Sequence, residues 1–157
     1  MENLNLIGNN CLNGSQFEDP ISEVEVRRIV HCHLLMPTWD VLLFMKPDGY
    51  WCSPGGEIEL FESKEGAAIR EVWEETKIIL PHDRVFTTKH CFTGISPKGR
   101  WVYGTSCLAF LPVSFHLDDI KFNGELVDYK VLSFGHALDL LSKNGLPEGR
   151  GSLAAIL

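Results

Sequence analysis

Glu71, Glu74 and Glu75 stand at offsets of three and four in G-E-I-E-L-F-E-S-K-E-G-A-A-I-R-E-V-W-E-E-T-K-I, the segment from Gly56 to Ile78. A helix turns about 100° per residue, so these carboxylates share one face. A solvated acidic face is the plain reading. Glu71 and Glu75, however, are like charges four apart, which costs roughly 0.2–0.5 kcal/mol. They also fall in the second half of the helix, where the macrodipole is negative. Folding gains little from this arrangement, whereas a hard divalent cation taking oxygen ligands makes it favourable. The spacing predicts a Mg²⁺ platform, with Mn²⁺ as the substitute ion.

The same segment resembles the Nudix box of the nucleoside-diphosphate-X hydrolases. That pattern is Gly, five residues, Glu, seven residues, Arg-Glu, an aliphatic, any residue, Glu-Glu, any residue, Gly, an aliphatic. Gly56, Glu62, Arg70, Glu71, Val72, Glu74, Glu75 and Ile78 all fall in place. At ~6% usage per residue type, six fixed identities at fixed spacing arise by chance in on the order of one in 10⁵ chains of this size. Lys77 stands where the family has a glycine that caps the helix in the left-handed conformation, at a steric cost to lysine of about 1 kcal/mol. Ile78 must still fold back into the core and Pro81 soon forbids a longer helix, so a left-handed turn is expected at Lys77 all the same.

The resemblance implies the Nudix α/β/α sandwich and a Mg²⁺-dependent pyrophosphohydrolase. Its substrate would be a nucleoside diphosphate derivative such as a nucleoside triphosphate or a nucleotide sugar, cleaved by in-line attack of water on phosphorus. By the family's roles Glu74 and Glu75 are direct metal ligands, Glu71 is a ligand or activates the water, and the carbonyl of Gly55 completes the shell. Arg70 orients a catalytic glutamate in the family; read from the helix alone it forms a surface ion pair with Glu74 worth only ~0.3–0.5 kcal/mol. Glu62 has a supporting electrostatic role. A further catalytic carboxylate is expected from Glu125, in N-G-E-L-V-D-Y-K-V-L, with Asp118, Asp119 and Asp128 as competitors. The alternative is a nucleotide-binding Nudix module without hydrolysis; the full set of glutamates counts against it and Lys77 counts for it.

Other residues are candidates for substrate contacts. Arg27, Arg28 and Arg100 suit phosphate, because a guanidinium matches it bidentately. Strand alternation puts Arg27 and Arg28 on opposite faces, so at most one points into the site. Trp101 or Phe92 would stack on a base, although hairpin aromatics are more often core. His31, Cys32, His33, His90 and Cys91 lack the spacing of a closed tetrahedral zinc site and read as core or surface residues.

The elements that must position this chemistry are legible as a series of short runs. Strands are expected over Val24–Met36, the W-D-V-L-L-F-M run, Tyr50–Cys52, Val85–Ile95, Trp101–Val113 and Leu126–Leu132, with a loop at Ser53–Gly56. Ser63 is a plausible N-cap for the acidic helix, Ser133 for a second helix carrying Ala137, Leu138, Leu140 and Leu141. The long strands flank an S-P-K-G turn and read as a hairpin. The class is α+β, helices flanking a mixed sheet.

At 157 residues the chain fits a single Nudix domain over residues 23–157 behind an N-terminal arm of residues 1–22. A net charge of −7 argues against a nucleic-acid partner and suits a small nucleotide that arrives with its metal. The five cysteines are odd in number, contain no C-x-x-C pair and read as reduced thiols. The N-terminus lacks the order of a signal peptide and no apolar run approaches ~18 residues, so the expectation is a cytoplasmic protein without a membrane partner, a homodimer being allowed.

Overall fold

The computed structural model describes residues 26–95, 99–145 and 153–154. The expected arm lies outside them. Chain order is β1 (Val26–Leu35), β2 (Val41–Met45), β3 (Trp51–Cys52), β4 (Gly55–Glu57), α1 (Lys64–Thr76), β5 (Val85–Ile95), β6 (Trp101–Phe110), β7 (Asp128–Leu132) and α2 (Phe134–Asn144). The strands form one sheet in the order β3-β2-β1-β6-β5, with β4 also paired to β1 and β7 to β2. β1 and β6 run parallel while the other pairs are antiparallel, so the sheet is mixed.

β1 explains the layering. Its side chains alternate between faces, and Val30, Cys32 and Leu34 join Ala67, Ala68 and Val72 of α1 in one cluster. Leu35 instead packs with Val41, Leu43 and the α2 residues Ala137 and Leu141. Each helix therefore covers one face of the sheet, the expected α/β/α sandwich. Among the described residues no helix is long and apolar enough to cross a membrane.

Two local expectations change. Gly55 and Gly56, read as loop, belong to β4 and pair antiparallel with His31 and Val30; their register is dictated by β1, since glycine carries no strand preference of its own. Cys32, Cys52 and Cys107 are free, but Cys91 is disulfide-bonded, so the expectation of reduced thiols does not hold for all five. Sequence spacing says nothing of which cysteines folding brings together. Ser96–Lys98, the expected hairpin turn, lie outside the described residues, although β5 and β6 pair as a hairpin requires.

Both ends of α1 follow the sequence. The Ser63 hydroxyl accepts from the Gly66 N–H at 3.0 Å, and the chain leaves the helix through Lys77 in the left-handed conformation, φ 61°. The Lys77 N–H donates to the Trp73 carbonyl at 2.9 Å. Lys77→Gly removes a Cβ penalty of about 1 kcal/mol. It also removes the ammonium 3.8 Å above the Trp73 ring, worth about 0.5 kcal/mol at an exposed site. The net expectation is a gain of ~0.5 kcal/mol, about 1–2 °C in melting temperature; a lower melting temperature in the glycine variant would refute this account of the turn.

Candidate active site

Arg70 ties the segment before α1 to the acidic face. Its Nε and Nη2 donate to the two oxygens of Glu62, each at 2.9 Å, and Nη2 also donates to the Glu57 carbonyl at 2.8 Å. Its Nη1 donates to Glu71 at 2.7 Å and reaches Glu74 only at 3.4 Å. The i to i+4 pair visible in the sequence is thus the longest contact Arg70 makes to a carboxylate. Glu62, gripped by two N–H groups, has its carboxyl held below the usual range, the Arg70 hydrogen bonds being the main cause. Glu71 is pushed up although Arg70 touches it, because burial outweighs the single N–H it receives. Arg70 itself is raised; the two directions agree once one cation is seen to be shared unequally.

Glu75 is the deepest of the acids, only 4% exposed. One of its oxygens accepts from the Gly55 N–H at 3.3 Å. Burial pushes its carboxyl up to about 7, with Glu125 and Glu71 adding to the rise and the Gly55 N–H and Lys46 opposing it. Space requires the glycine at Gly55, where a Cβ would run into the Val30 carbonyl, while a Cβ on Gly56 would displace the Glu71 carboxylate. Glu125 is exposed, with its side chain 3.2 Å from the Asn123 amide. Among the acids weighed for the loop position, it is the one whose charge is felt by both Glu71 and Glu75. Lys46, at the end of β2, was not singled out in the sequence. Its signal was a lone cation closing the apolar run V-L-L-F-M just before a turn.

The remaining candidates lie elsewhere. Arg27 is engaged with Glu57, its Nε and Nη2 at 3.1 and 2.9 Å from one carboxylate oxygen. Arg28 is exposed on the other face of β1. Trp101 pairs with Val26 and Ile95 at the far end of the sheet, four strand positions from Val30, which faces Gly56, or about 13 Å. Arg100, just before it, is also exposed. A base on Trp101 would have to bridge that distance from the acids. Phe92 is buried, its ring lying over Gly104 and 5.7 Å from that of His31, so it serves packing.

A divalent ion is general in the family this geometry resembles. The donor set fits a hard cation: carboxylate oxygens with excess negative charge around a buried Glu75. Among the described residues, however, no three acidic, histidine or cysteine side chains already converge on one point. Arg70 holds one oxygen of Glu71 and one of Glu74, which leaves the second oxygen of each to turn toward a cation.

The NUDIX domain family model matches residues 26–153. Similar folds include the solution structure of the E. coli ORF135 protein, with TM-score 0.69 and 20% identity over 88% of this chain and 93% of that one. The E. coli dihydroneopterin triphosphate pyrophosphohydrolase gives TM-score 0.66 and 21% identity over 80% and 91%. The NUDIX domain of Shewanella oneidensis NrtR, complexed with ADP ribose, gives 0.67 and 19% over 88% and 90%. At these identities the structural likeness speaks for the fold, while the family match spans most of the chain and includes the whole acidic helix. The chain therefore belongs to the NUDIX domain family.

Proposed function

We propose that the chain is a Mg²⁺-dependent pyrophosphohydrolase that cleaves a nucleoside triphosphate, nucleotide sugar or similar derivative by in-line attack of water on phosphorus. One observation carries this reading: Glu71, Glu75 and Glu125 bring negative charge to the same glycine-lined corner, where burial first and the neighbouring carboxylates second push the Glu75 carboxyl up. Glu71, Glu74, Glu75 and the Gly55 carbonyl would hold Mg²⁺, or Mn²⁺ in its place; the ion neutralises charge on the phosphoryl oxygens. Arg70 orients Glu71, which with Glu125 is suited to take the proton of the attacking water. Lys46 offers a positive charge beside Glu75 for the substrate's phosphates. Arg28 and Arg100 are assigned to phosphate at longer range and Trp101 to a base, and Arg27 would first have to leave Glu57.

The triphosphate in the name of one similar protein and the ADP ribose bound to another support a nucleotide-like substrate. The same reading takes residues 23–157 as one domain acting on small nucleotides in the cytoplasm, alone or as a homodimer. Activity should disappear in excess chelator, return with Mg²⁺ or Mn²⁺, and rise toward alkaline pH as hydroxide and deprotonated base increase. Nucleoside triphosphates, nucleotide sugars and dinucleotides assayed for released phosphate or pyrophosphate test this. Full turnover in chelator would sink it. The hold of Arg70 on Glu71 and Glu74 favours a second reading, a module that binds nucleotide without hydrolysis. Saturable binding with no product from any of these compounds would establish that one instead.

A further inference from the structure

We propose that His33 is a positioning residue for the acidic site: its hydrogen bond to Ser53 fixes the segment Ser53–Gly55 against which Glu75 rests. The proposal depends on reading Glu75 as a metal ligand.

His33 lies in β1 with no exposure at all, among positions that are otherwise apolar. A buried polar ring costs free energy unless it is hydrogen-bonded, and its Nδ1 lies 2.7 Å from the Ser53 hydroxyl, also buried. Burial, with His31 and His90 nearby, pushes the imidazole down to about 3. At neutral pH it is an uncharged ring with one donor and one acceptor, fitted to hold a hydroxyl.

The bond sits at one end of a short ladder. Ser53, Pro54 and Gly55 meet β1 at three successive points. The Ser53 hydroxyl meets His33, the Pro54 carbonyl accepts from the Cys32 N–H at 2.8 Å, and Gly55 pairs with His31. The second and third are main-chain contacts that any sequence could make. The first is made by side chains and is the one this sequence specifies. Two residues further on, the Gly55 N–H donates to Glu75 at 3.3 Å, and the Gly55 carbonyl belongs to the same peptide run. Glu75 is buried and has little freedom to follow a shift of that run. Groups that orient metal ligands through one intermediate commonly change metal affinity or activity by ~10–100-fold when removed.

A histidine serving only to fill the core would lower stability and leave metal affinity alone, so the two roles separate experimentally. Ser53→Ala deletes the hydroxyl with little change in packing. His33→Leu deletes the ring's polar atoms, and His33→Asn keeps an amide near the Nδ1 position. Mn²⁺ affinity of the substrate-free full chain is read by the electron spin resonance of free Mn²⁺, beside melting temperature in chelator and kcat and KM. Ser53→Ala and His33→Leu should each weaken Mn²⁺ binding ~10-fold and lower kcat with KM little changed. His33→Asn should restore most of both. The double variant Ser53→Ala/His33→Leu should bind no worse than the weaker single variant, because the same bond is lost. If His33→Leu does not fold, Ser53→Ala and His33→Asn decide. Folded variants that bind Mn²⁺ within twofold of wild type overturn the proposal, even where they melt earlier. A wild-type protein that binds no Mn²⁺ overturns the reading of the acidic site and this inference with it.

Discussion

Glu75→Gln should lower turnover at least ~10²-fold and, in the metal-free protein at pH 8, raise the melting temperature. An amide keeps the shape of the side chain and can still accept from the Gly55 N–H, but it is no anionic ligand. Electrostatic contributions of that kind are commonly worth ~3 kcal/mol or more in the transition state. The stability change has the opposite sign. Burial raises the Glu75 carboxyl from the ordinary 4.5 to about 7 in the fold. The folded protein therefore holds this proton more tightly than the unfolded chain does. As far as this group is concerned, the metal-free fold is undisturbed below pH 4.5. It loses stability as pH rises toward 7, and above that the loss is constant. A shift of this size corresponds to about 3 kcal/mol at most, since water entering the site and an opening of the Glu71 and Glu125 side chains would both relieve it. Glutamine does not titrate and carries no such loss. Melting curves in chelator at pH 5 and pH 8 should show the two proteins close together at the lower pH and the variant ahead at the higher. A variant that turns over at the wild-type rate removes Glu75 from the ligand set. Coincident melting at both pH values removes the buried charge.

The parts of this site that could be read from the sequence are those set within one helix or one strand. The acidic helix, its Ser63 cap and the turn at Lys77 depend on residues no more than five apart, and all three stand in the fold. The strands were legible from β-branched and apolar runs, apart from β4, where paired glycines are made into a strand by β1. Contacts closed by tertiary structure were not legible. The chief partner of Arg70 is Glu62, eight residues before it, reached because the chain doubles back before α1. Helical spacing pointed to Glu74 instead. Lys46 and Glu125 come from opposite halves of the sequence and meet at Glu75 only because β7 pairs with β2 and Val127 donates to the Met45 carbonyl. His33 was weighed as a metal ligand by its residue type, while its actual partner is a serine twenty positions away. Phe92 read as a candidate for stacking; the glycine opposite it, Gly104, was the sign that its ring is received inside the protein.

Arg70→Lys decides whether the arginine is a surface ion pair or the joint between the Glu62 segment and the acidic face. If its role were the pairing with Glu74, lysine would keep an i to i+4 pair worth ~0.3–0.5 kcal/mol and the variant would be indistinguishable from wild type. The geometry asks for more than a charge. The two-pronged contact to Glu62, the bond to Glu71 and the bond to the Glu57 carbonyl use donors pointing in fixed directions, and one ammonium cannot serve them together. Glu62 and Glu71 have side chains only 18% and 13% exposed, so whichever is left without a partner stays largely out of water. We expect a loss of about 2 kcal/mol, after allowing for the water that still reaches these groups, and a fall in turnover of ~10-fold or more as Glu71 loses its orientation. The pH dependence gives an independent check. Arg70 holds the Glu62 carboxyl below its ordinary 4.5, so this interaction supports the fold above that pH and is lost as pH falls through the lower folded value. The gap in melting temperature between wild type and Arg70→Lys should accordingly be widest near neutrality and narrow as the pH drops below about 4.5. A constant gap would mean that the lysine variant suffers from packing alone. The joint between Glu62 and the acidic helix would then rest on the backbone of the segment, not on the guanidinium.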